Sequence, residues 1–381
     1  MIKYYTRACN FYYGHISKEK IKKKISLPLN GNKLISFDTI ELISRQNKKL
    51  IRLNDIKKLP INLRKKIFND LKQISKTKNI SKLKYKKSPL LMGILNTTPD
   101  SFSDGGKYLK SNLAKRQIKK LKKDGADIID IGGESTRPNS KTVKSMTEWM
   151  RVKSKIKFAK RNKIFVSLDT RKSFVLKNSL PMKIDLLNDV SGLSYDKEII
   201  KILKRSKIPF ILHHMQGTPN TMQKNPKYKN VLLDIYDFFE ERIKKVNDKK
   251  VILDPGIGFG KVLKHNLTLI SKISLFHSLG FPILVGTSRK RFINQISGSN
   301  DSKDRTGGTL ASVLYLLSQG VQVFRVHNVN EIKQAIEQIF KVKVLKINTS
   351  IDDSAYLLGF NKFNKWHWSN RYVFFWRSFL R

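Results

Sequence analysis

The residues able to do chemistry recur at one kind of place, where a short apolar run stops at side chains that donate, accept or carry charge. The first run ends in Asn96-Thr97-Thr98-Pro99-Asp100-Ser101-Phe102-Ser103-Asp104-Gly105-Gly106. The second reaches Asp130 and continues into Gly132-Gly133-Glu134-Ser135-Thr136-Arg137-Pro138. Later runs end in Asp169, in Asn188-Asp189, in Asp254, in Gly286-Thr287-Ser288-Arg289-Lys290, and in Arg325 and His327. A lone Asp in such a position is as readily a strand-end cap as a functional group. The repetition at seven of eight runs is harder to assign to capping. Asp and Asn pair with a flat heterocycle that offers both donors and acceptors, whereas Arg, His, Thr and glycine-rich backbone suit phosphate. The set therefore fits a small molecule with a heterocycle at one end and a phosphate at the other.

The elements that must position these residues alternate. The runs are Leu90 to Leu95, Ile128 to Ile131, Phe165 to Leu168, Leu186 to Leu187, Phe210 to Leu212, Val251 to Leu253, Ile283 to Val285 and Val323 to Val326. They read as strands buried on both faces, as parallel strands are. Between them lie segments of helical period: Leu113 to Lys123, Met146 to Arg161, a short one after Lys172, Glu198 to Arg205, Val231 to Val246, Asn266 to Ser278, Thr309 to Ser318 and Asn330 to Phe340. Eight βα units over about 250 residues predict an α/β fold of the (β/α)8 TIM-barrel type, with strand ends converging on one mouth. A doubly wound sheet is the alternative, because a count of strands does not show closure. The segments Asn96 to Gly106 and Gly133 to Lys144 exceed the usual βα-loop length and are expected to act as lids.

Residues 89–345 form the expected barrel domain. Residues 1–88 are a basic N-terminal extension with 24 Lys/Arg against 5 Asp/Glu. Within it Ile35-Ser36-Phe37 and Leu50-Ile51-Arg52-Leu53 suggest short strands, and Leu63, Ile67, Leu71 and Ile74 fall at helical spacing. A small α+β element is expected, followed by a linker from Lys76 to Ser88. Residues 346–381 lose the alternation and gather Trp366, Trp368, Phe374, Phe375 and Trp376 in an aromatic, basic tail to which no function attaches.

The formal net charge of the 381-residue chain is +48. Such an excess suits nucleic acid when it is clustered, but here Lys and Arg are spread over every segment, so no nucleic-acid partner is expected. The field would still draw in an anionic substrate. One cysteine, Cys9, excludes an internal disulfide framework. The absence of a long apolar stretch argues against a membrane span or secretory leader, and a cytoplasmic protein is expected.

The motifs around these residues resemble one family closely. Gly93-Ile94-Leu95-Asn96-Thr97-Thr98-Pro99-Asp100-Ser101-Phe102-Ser103-Asp104-Gly105-Gly106 is similar to the first signature of the dihydropteroate synthases, and Gly125 to Pro138 to the second. Asp169-Thr170, Asn188-Asp189, His214-Met215-Gln216-Gly217, Asp254 to Lys261, Ser288-Arg289-Lys290 and Arg325-Val326-His327 continue the resemblance in order, over about Leu90 to Phe340. It implies that Asp130, Asn188, Asp254 and Lys290 hold a pterin, with Asp169 at the same ring. It implies that Thr136, Arg137, Arg325 and His327 bind pyrophosphate and that Asn96 is associated with Mg2+. Phe259, Ser288, Arg289 and Lys290, with the helix start that follows, correspond to a p-aminobenzoate pocket.

The reaction implied is displacement of pyrophosphate from the pterin methylene by the amine of p-aminobenzoate, without a covalent enzyme nucleophile. Asp169, Arg137, Arg325, His327 and Lys290 are its expected catalytic residues, and the resemblance implies a homodimer. Asn139, Asn328 and Arg291 depart from the family pattern, which bears on lid mobility and p-aminobenzoate affinity. A pterin-dependent methyltransferase shares the barrel but expels no pyrophosphate. A catalytically dead barrel with a partner-binding basic extension is the alternative from another class.

Overall fold

A computed structural model describes residues 2–80, 83, 89–98, 111–135, 140, 142–246 and 250–344. Most of the first expected lid, Thr136 and Arg137 of the second, and the aromatic tail lie outside the described residues.

The chain opens with β1 (Tyr5–Tyr13), α1 (Gly14–Lys22), β2 (Leu27–Leu29), β3 (Asn32–Ile43), β4 (Lys48–Arg52), a 3-10 segment Leu53–Lys58 and α2 (Ile61–Ser75). Strand β3 is central: β1 pairs antiparallel along one edge, and β2 and β4 pair along the other. Helix α2 turns Ile67, Leu71 and Ile74 onto this sheet, where they meet Phe37 and Ile40, which are fully buried. The extension is thus the α+β element that the helical spacing predicts. The spacing did not reveal β1 and α1, because β1 lacks a clean alternation of apolar and polar residues.

Eight βα units follow. They comprise β5 (Leu90–Asn96), α3 (Ser111–Lys123), β6 (Ile128–Gly132), α4 (Ser145–Arg161), β7 (Phe165–Asp169), α5 (Ser173–Ser179), β8 (Leu186–Asp189) and α6 (Glu198–Ser206). Next come β9 (Phe210–His213), α7 (Val231–Val246), β10 (Val251–Asp254), α8 (Leu263–Ser271), β11 (Leu284–Val285), α9 (Arg291–Ser297), α10 (Thr306–Ser318), β12 (Val323–Val326) and α11 (Val329–Val344). All strand pairs are parallel, in the order β10-β9-β8-β7-β6-β5-β12-β11. A parallel bridge between Leu253 and Ile283 joins the two ends. That contact closes the sheet and decides for the barrel over the doubly wound alternative. The segment Asn266 to Ser278 is not one helix: α8 stops at Ser271 and a 3-10 segment, Ile273–Leu279, follows. Helix α9 is the helix start expected after Lys290, although its apolar periodicity does not mark it among the helical segments.

Two-residue periodicity places the site. Leu90, Met92, Ile128, Leu186, Ile211, Ile252, Leu284 and Val323 form one buried cluster inside the barrel, while Leu91, Ile129, Leu187 and Leu212 face the helices. Two steps further along the inward rows stand Asp130, Asn188, His213, Asp254 and Arg325, and the rows from Met92 and Phe165 lead to Asn96 and Asp169. The bottom of the barrel is therefore apolar and its mouth polar.

The extension packs against the outside and the floor of the barrel. Tyr5 meets Tyr236 edge-on at 5.1 Å and its hydroxyl donates to Asp237 Oδ1 at 2.8 Å. Ser274 Oγ donates to the Ala8 carbonyl at 3.0 Å. In the described part of the expected linker Lys76, Thr77 and Asn79 are exposed, but Lys78 and Ile80 are packed into the fold. Lys78 is buried and donates to Asn30 Oδ1 at 2.7 Å and to the His277 carbonyl at 3.2 Å. Ile80 belongs to the interior cluster and bridges Leu83, so this segment plugs the barrel floor.

Candidate active site

Arg325, on β12, reaches across the mouth to two carboxylates. Its Nε donates to Asp130 Oδ2 at 2.6 Å and its Nη2 to Asp169 Oδ2 at 2.9 Å. Asn188 Nδ2 donates to the same Asp130 oxygen at 3.1 Å. Asp130 Oδ1 is buried with no hydrogen-bond partner in the structure, which leaves a desolvated acceptor aimed at any ligand with an N–H edge. Burial and the neighbouring Asp130 carboxylate hold the Asp169 carboxyl well above its usual range, against the pull of Arg325. For Arg325 itself the balance is reversed: burial works against the guanidinium charge, but the two carboxylates raise its pKa.

Asp254 ends β10, and burial raises its pKa. Its Oδ1 accepts the Gly256 N–H at 2.8 Å. That turn requires glycine, because φ at Gly256 is +68° and a Cβ there would lie 1.9 Å from the His214 carbonyl oxygen. The loop continues to Phe259, over whose ring Lys290 Nζ sits at 4.3 Å from the centroid. Lys290 also donates to the Ile257 carbonyl, and burial pushes its pKa down to about 7, with Asp254 opposing the shift.

The ends of the seventh and eighth strands bring together Ser288, Arg289, His327 and Asn328. Ser288 Oγ lies 2.9 Å from His327 Nδ1 and accepts the His327 backbone N–H at 3.2 Å. Arg289 adopts a left-handed φ of 59°, and its Nε and Nη2 donate to Asn328 Oδ1 at 3.1 and 2.6 Å. Asn328, a departure from the family pattern, thereby fixes the direction of this guanidinium. Helix α9 is only seven residues long, so the anion attraction expected from a helix start is small beside that of Arg289 and Lys290.

A second network supports the foot of the second loop. Lys172 donates to Glu148 Oε2 at 2.6 Å and lies 3.0 Å from Glu134 Oε2, while Arg171 donates to both Glu134 oxygens at 3.2 Å. Thr170, next to Asp169, donates to Glu148 Oε1 at 2.5 Å. Lys172 Nζ also donates to the Val143 carbonyl at 2.6 Å and Glu134 accepts the Val143 N–H at 3.0 Å, which joins the two ends of the loop. The sequence offered no signal for this network, since its members come from three distant segments.

Of the residues singled out by sequence, Asp130, Asp169, Asn188 and Arg325 are linked by hydrogen bonds, and Ser288 and His327 pair beside them. Phe259 and Lys290 meet in their own contact. Asn96 ends β5, half-buried, next to Thr97, whose Oγ1 donates to the Gly132 carbonyl at 2.9 Å. Thr136 and Arg137 lie outside the described residues. His213, directly after the run Phe210 to Leu212, is not among the residues singled out by sequence. The parity of the inward row from Ile211 would have found it.

Comparison with known proteins identifies the family of this barrel. Residues 92–327 match the family of pterin-binding enzymes. The dihydropteroate synthase of Synechocystis is 40% identical over 262 residues, covering 67% of this chain and 89% of that protein. Among solved structures, the Yersinia pestis dihydropteroate synthase in a sulfonamide drug complex superimposes with a TM-score of 0.65 at 36% identity, over 67% of this chain and 94% of that one. The Thermus thermophilus dihydropteroate synthase in complex with 4-aminobenzoate gives a TM-score of 0.59 at 33% identity, over 67% and 94% respectively.

Proposed function

The chain belongs to the dihydropteroate synthase family, and we infer from that membership how its barrel mouth joins 6-hydroxymethyl-7,8-dihydropterin pyrophosphate to p-aminobenzoate, giving 7,8-dihydropteroate and pyrophosphate in folate biosynthesis. The observation that carries the assignment of roles is the desolvated acceptor set formed by Asp130 and Asp254 around Arg325 and Asn188. A 2-amino-4-oxo heterocycle presents adjacent N–H donors and ring acceptors, and Asp130, Asn188, Asp254 and Lys290 supply their complements. Asp169, held close to Arg325, would stabilise positive charge on the pterin once the leaving group departs.

In the reaction the amine nitrogen forms a bond to the pterin methylene carbon. The carbon–oxygen bond to pyrophosphate breaks with its electron pair on oxygen, and the ammonium product loses a proton to solvent. Arg325 and His327, with Arg137 and Thr136 from the second loop, bind the departing anion. Phe259 and the Ser288-Arg289-Lys290 segment receive p-aminobenzoate, the cations facing its carboxylate.

Among the described residues no group of three or more His, Cys, Asp or Glu is arranged to hold a metal ion. Asn96, half-buried at the end of β5, would offer one amide oxygen to Mg2+, an ion that keeps waters and takes substrate phosphate oxygens. When bound, Mg2+ would neutralise charge on the pyrophosphate. Cys9 lies on β1, outside the barrel, in keeping with chemistry that uses no thiol.

Residues 1–88, 89–345 and 346–381 are proposed as extension, catalytic domain and tail. A cytoplasmic homodimer is proposed on family grounds; among the described residues no helix is long and apolar enough to cross a membrane. The methyltransferase reading loses its support, since the relatives compared are synthases. A direct test is Asp254→Asn. Fluorescence titration should show pterin affinity reduced at least tenfold with p-aminobenzoate binding retained, and unchanged pterin affinity would refute the assignment.

A further inference from the structure

The fifth barrel strand, β9, is the one to which the reading above gives no role. It ends in His213, paired in register with Asp254. The ring is 2% exposed and packs edge-on against Phe259, centroids 4.6 Å apart. Its Nδ1 lies 3.0 Å from the Val190 carbonyl oxygen, which only accepts. The proton therefore resides on Nδ1, and Nε2 carries a bare lone pair. Burial, with Lys290 and Lys261 nearby, keeps the imidazole neutral.

Among the described residues Nε2 has no hydrogen-bond partner, and Asp254 Oδ2 stands 4.0 Å away. Neither atom carries a proton to offer the other, so they face each other as two acceptors. Gly256 closes the far side: a Cβ there would come within 3.1 Å of Nε2. Burying two unsatisfied acceptors side by side costs free energy unless a ligand donor lies between them. At this spacing a single amino group can approach both within about 3 Å.

We propose that His213 is a specificity-determining residue of the pterin site, its Nε2 sharing with Asp254 Oδ2 the N–H donors of the pterin 2-amino group. This rests on the pterin reading above and adds a residue to it. The arrangement discriminates against a heterocycle with a carbonyl in place of that amino group, because a third acceptor would be forced against two others. Discrimination based on unpaired buried polar groups is the strong kind.

The test compares 6-hydroxymethylpterin with its 2-oxo counterpart, the 6-hydroxymethyl lumazine, by titration against the full-length protein. His213→Met fills the ring's volume without the acceptor, and His213→Gln restores a polar group near the Nε2 position. The ratio of affinities for pterin over lumazine should fall about tenfold in His213→Met and recover partly in His213→Gln. An unchanged ratio in a folded His213→Met protein overturns the inference, as does a loss of affinity equal for both ligands, which a purely structural role would give. Turnover by the unaltered protein is measured first. Its absence would sink the synthase reading, whereas its presence with an unchanged ratio would sink only the role of His213.

Discussion

Replacing Arg325 by Met removes a cation that joins Asp130 and Asp169, at 2.6 and 2.9 Å. Deleting one partner of a buried charge pair typically costs about 3–5 kcal/mol, because the other charge stays desolvated. Part of that cost is recovered by protonating a carboxylate. Asp169, whose pKa is already raised by burial and by Asp130, is the one to take the proton. A carboxyl with a raised folded-state pKa is most stabilising when neutral, and ionising it erodes stability as pH climbs from the unfolded value to the folded one. Without Arg325 that folded value rises further, so the deficit in Tm should widen as pH rises and shrink on acidification. Near neutral pH it should amount to roughly 5–15 °C. Loss of a preorganised cation at the leaving group should also lower kcat/KM by about 10²–10³. Thermal melts from pH 5 to 8 and initial rates at saturating p-aminobenzoate measure both effects. A Tm deficit independent of pH, or a near-normal rate, would refute the reasoning.

Lys290, with its pKa pushed down to about 7, should lose its cation as pH rises through neutrality. The value of kcat/KM for the pterin substrate is expected to decline above about pH 7, and Lys290→Arg should abolish that decline. The unfolded lysine holds its proton up to about pH 10, so stability should rise with pH between those values, and Lys290→Met should flatten the rise. Lys172→Met strands Glu148, which is fully buried. A loss of about 3–5 kcal/mol in denaturant melts is expected, and a variant as stable as the parent would contradict the network. Gly256→Ala places a methyl 1.9 Å from the His214 carbonyl and should both lower Tm and weaken pterin binding; retention of both would show that the turn relaxes freely.

The barrel was legible because its strands are short apolar runs with both faces covered, so their ends were marked by the first polar residue. Closure was not legible: it rests on the contact between Leu253 and Ile283, which no local pattern announces. The polar mouth was readable residue by residue at Asp130, Asp169, Asn188, Asp254 and Arg325, since each follows an apolar run directly or lies on its inward row. His213 follows an apolar run too, yet its role depends on which face it shares, a question of parity rather than type. The role of Lys78 and Ile80 was hidden for a different reason. A basic, apolar-poor stretch resembles a linker, and only the tertiary fold shows that one lysine and one isoleucine are taken into the barrel floor. The charges at Glu134, Glu148, Arg171 and Lys172 likewise look like solvated surface until three segments meet.

The most direct measurement is a coupled assay of the purified chain with Mg2+, 6-hydroxymethyl-7,8-dihydropterin pyrophosphate and p-aminobenzoate, in which dihydropteroate and released pyrophosphate are followed together. The two products should appear in equal amounts and depend on both substrates. Tight pterin binding without pyrophosphate release would contradict the account.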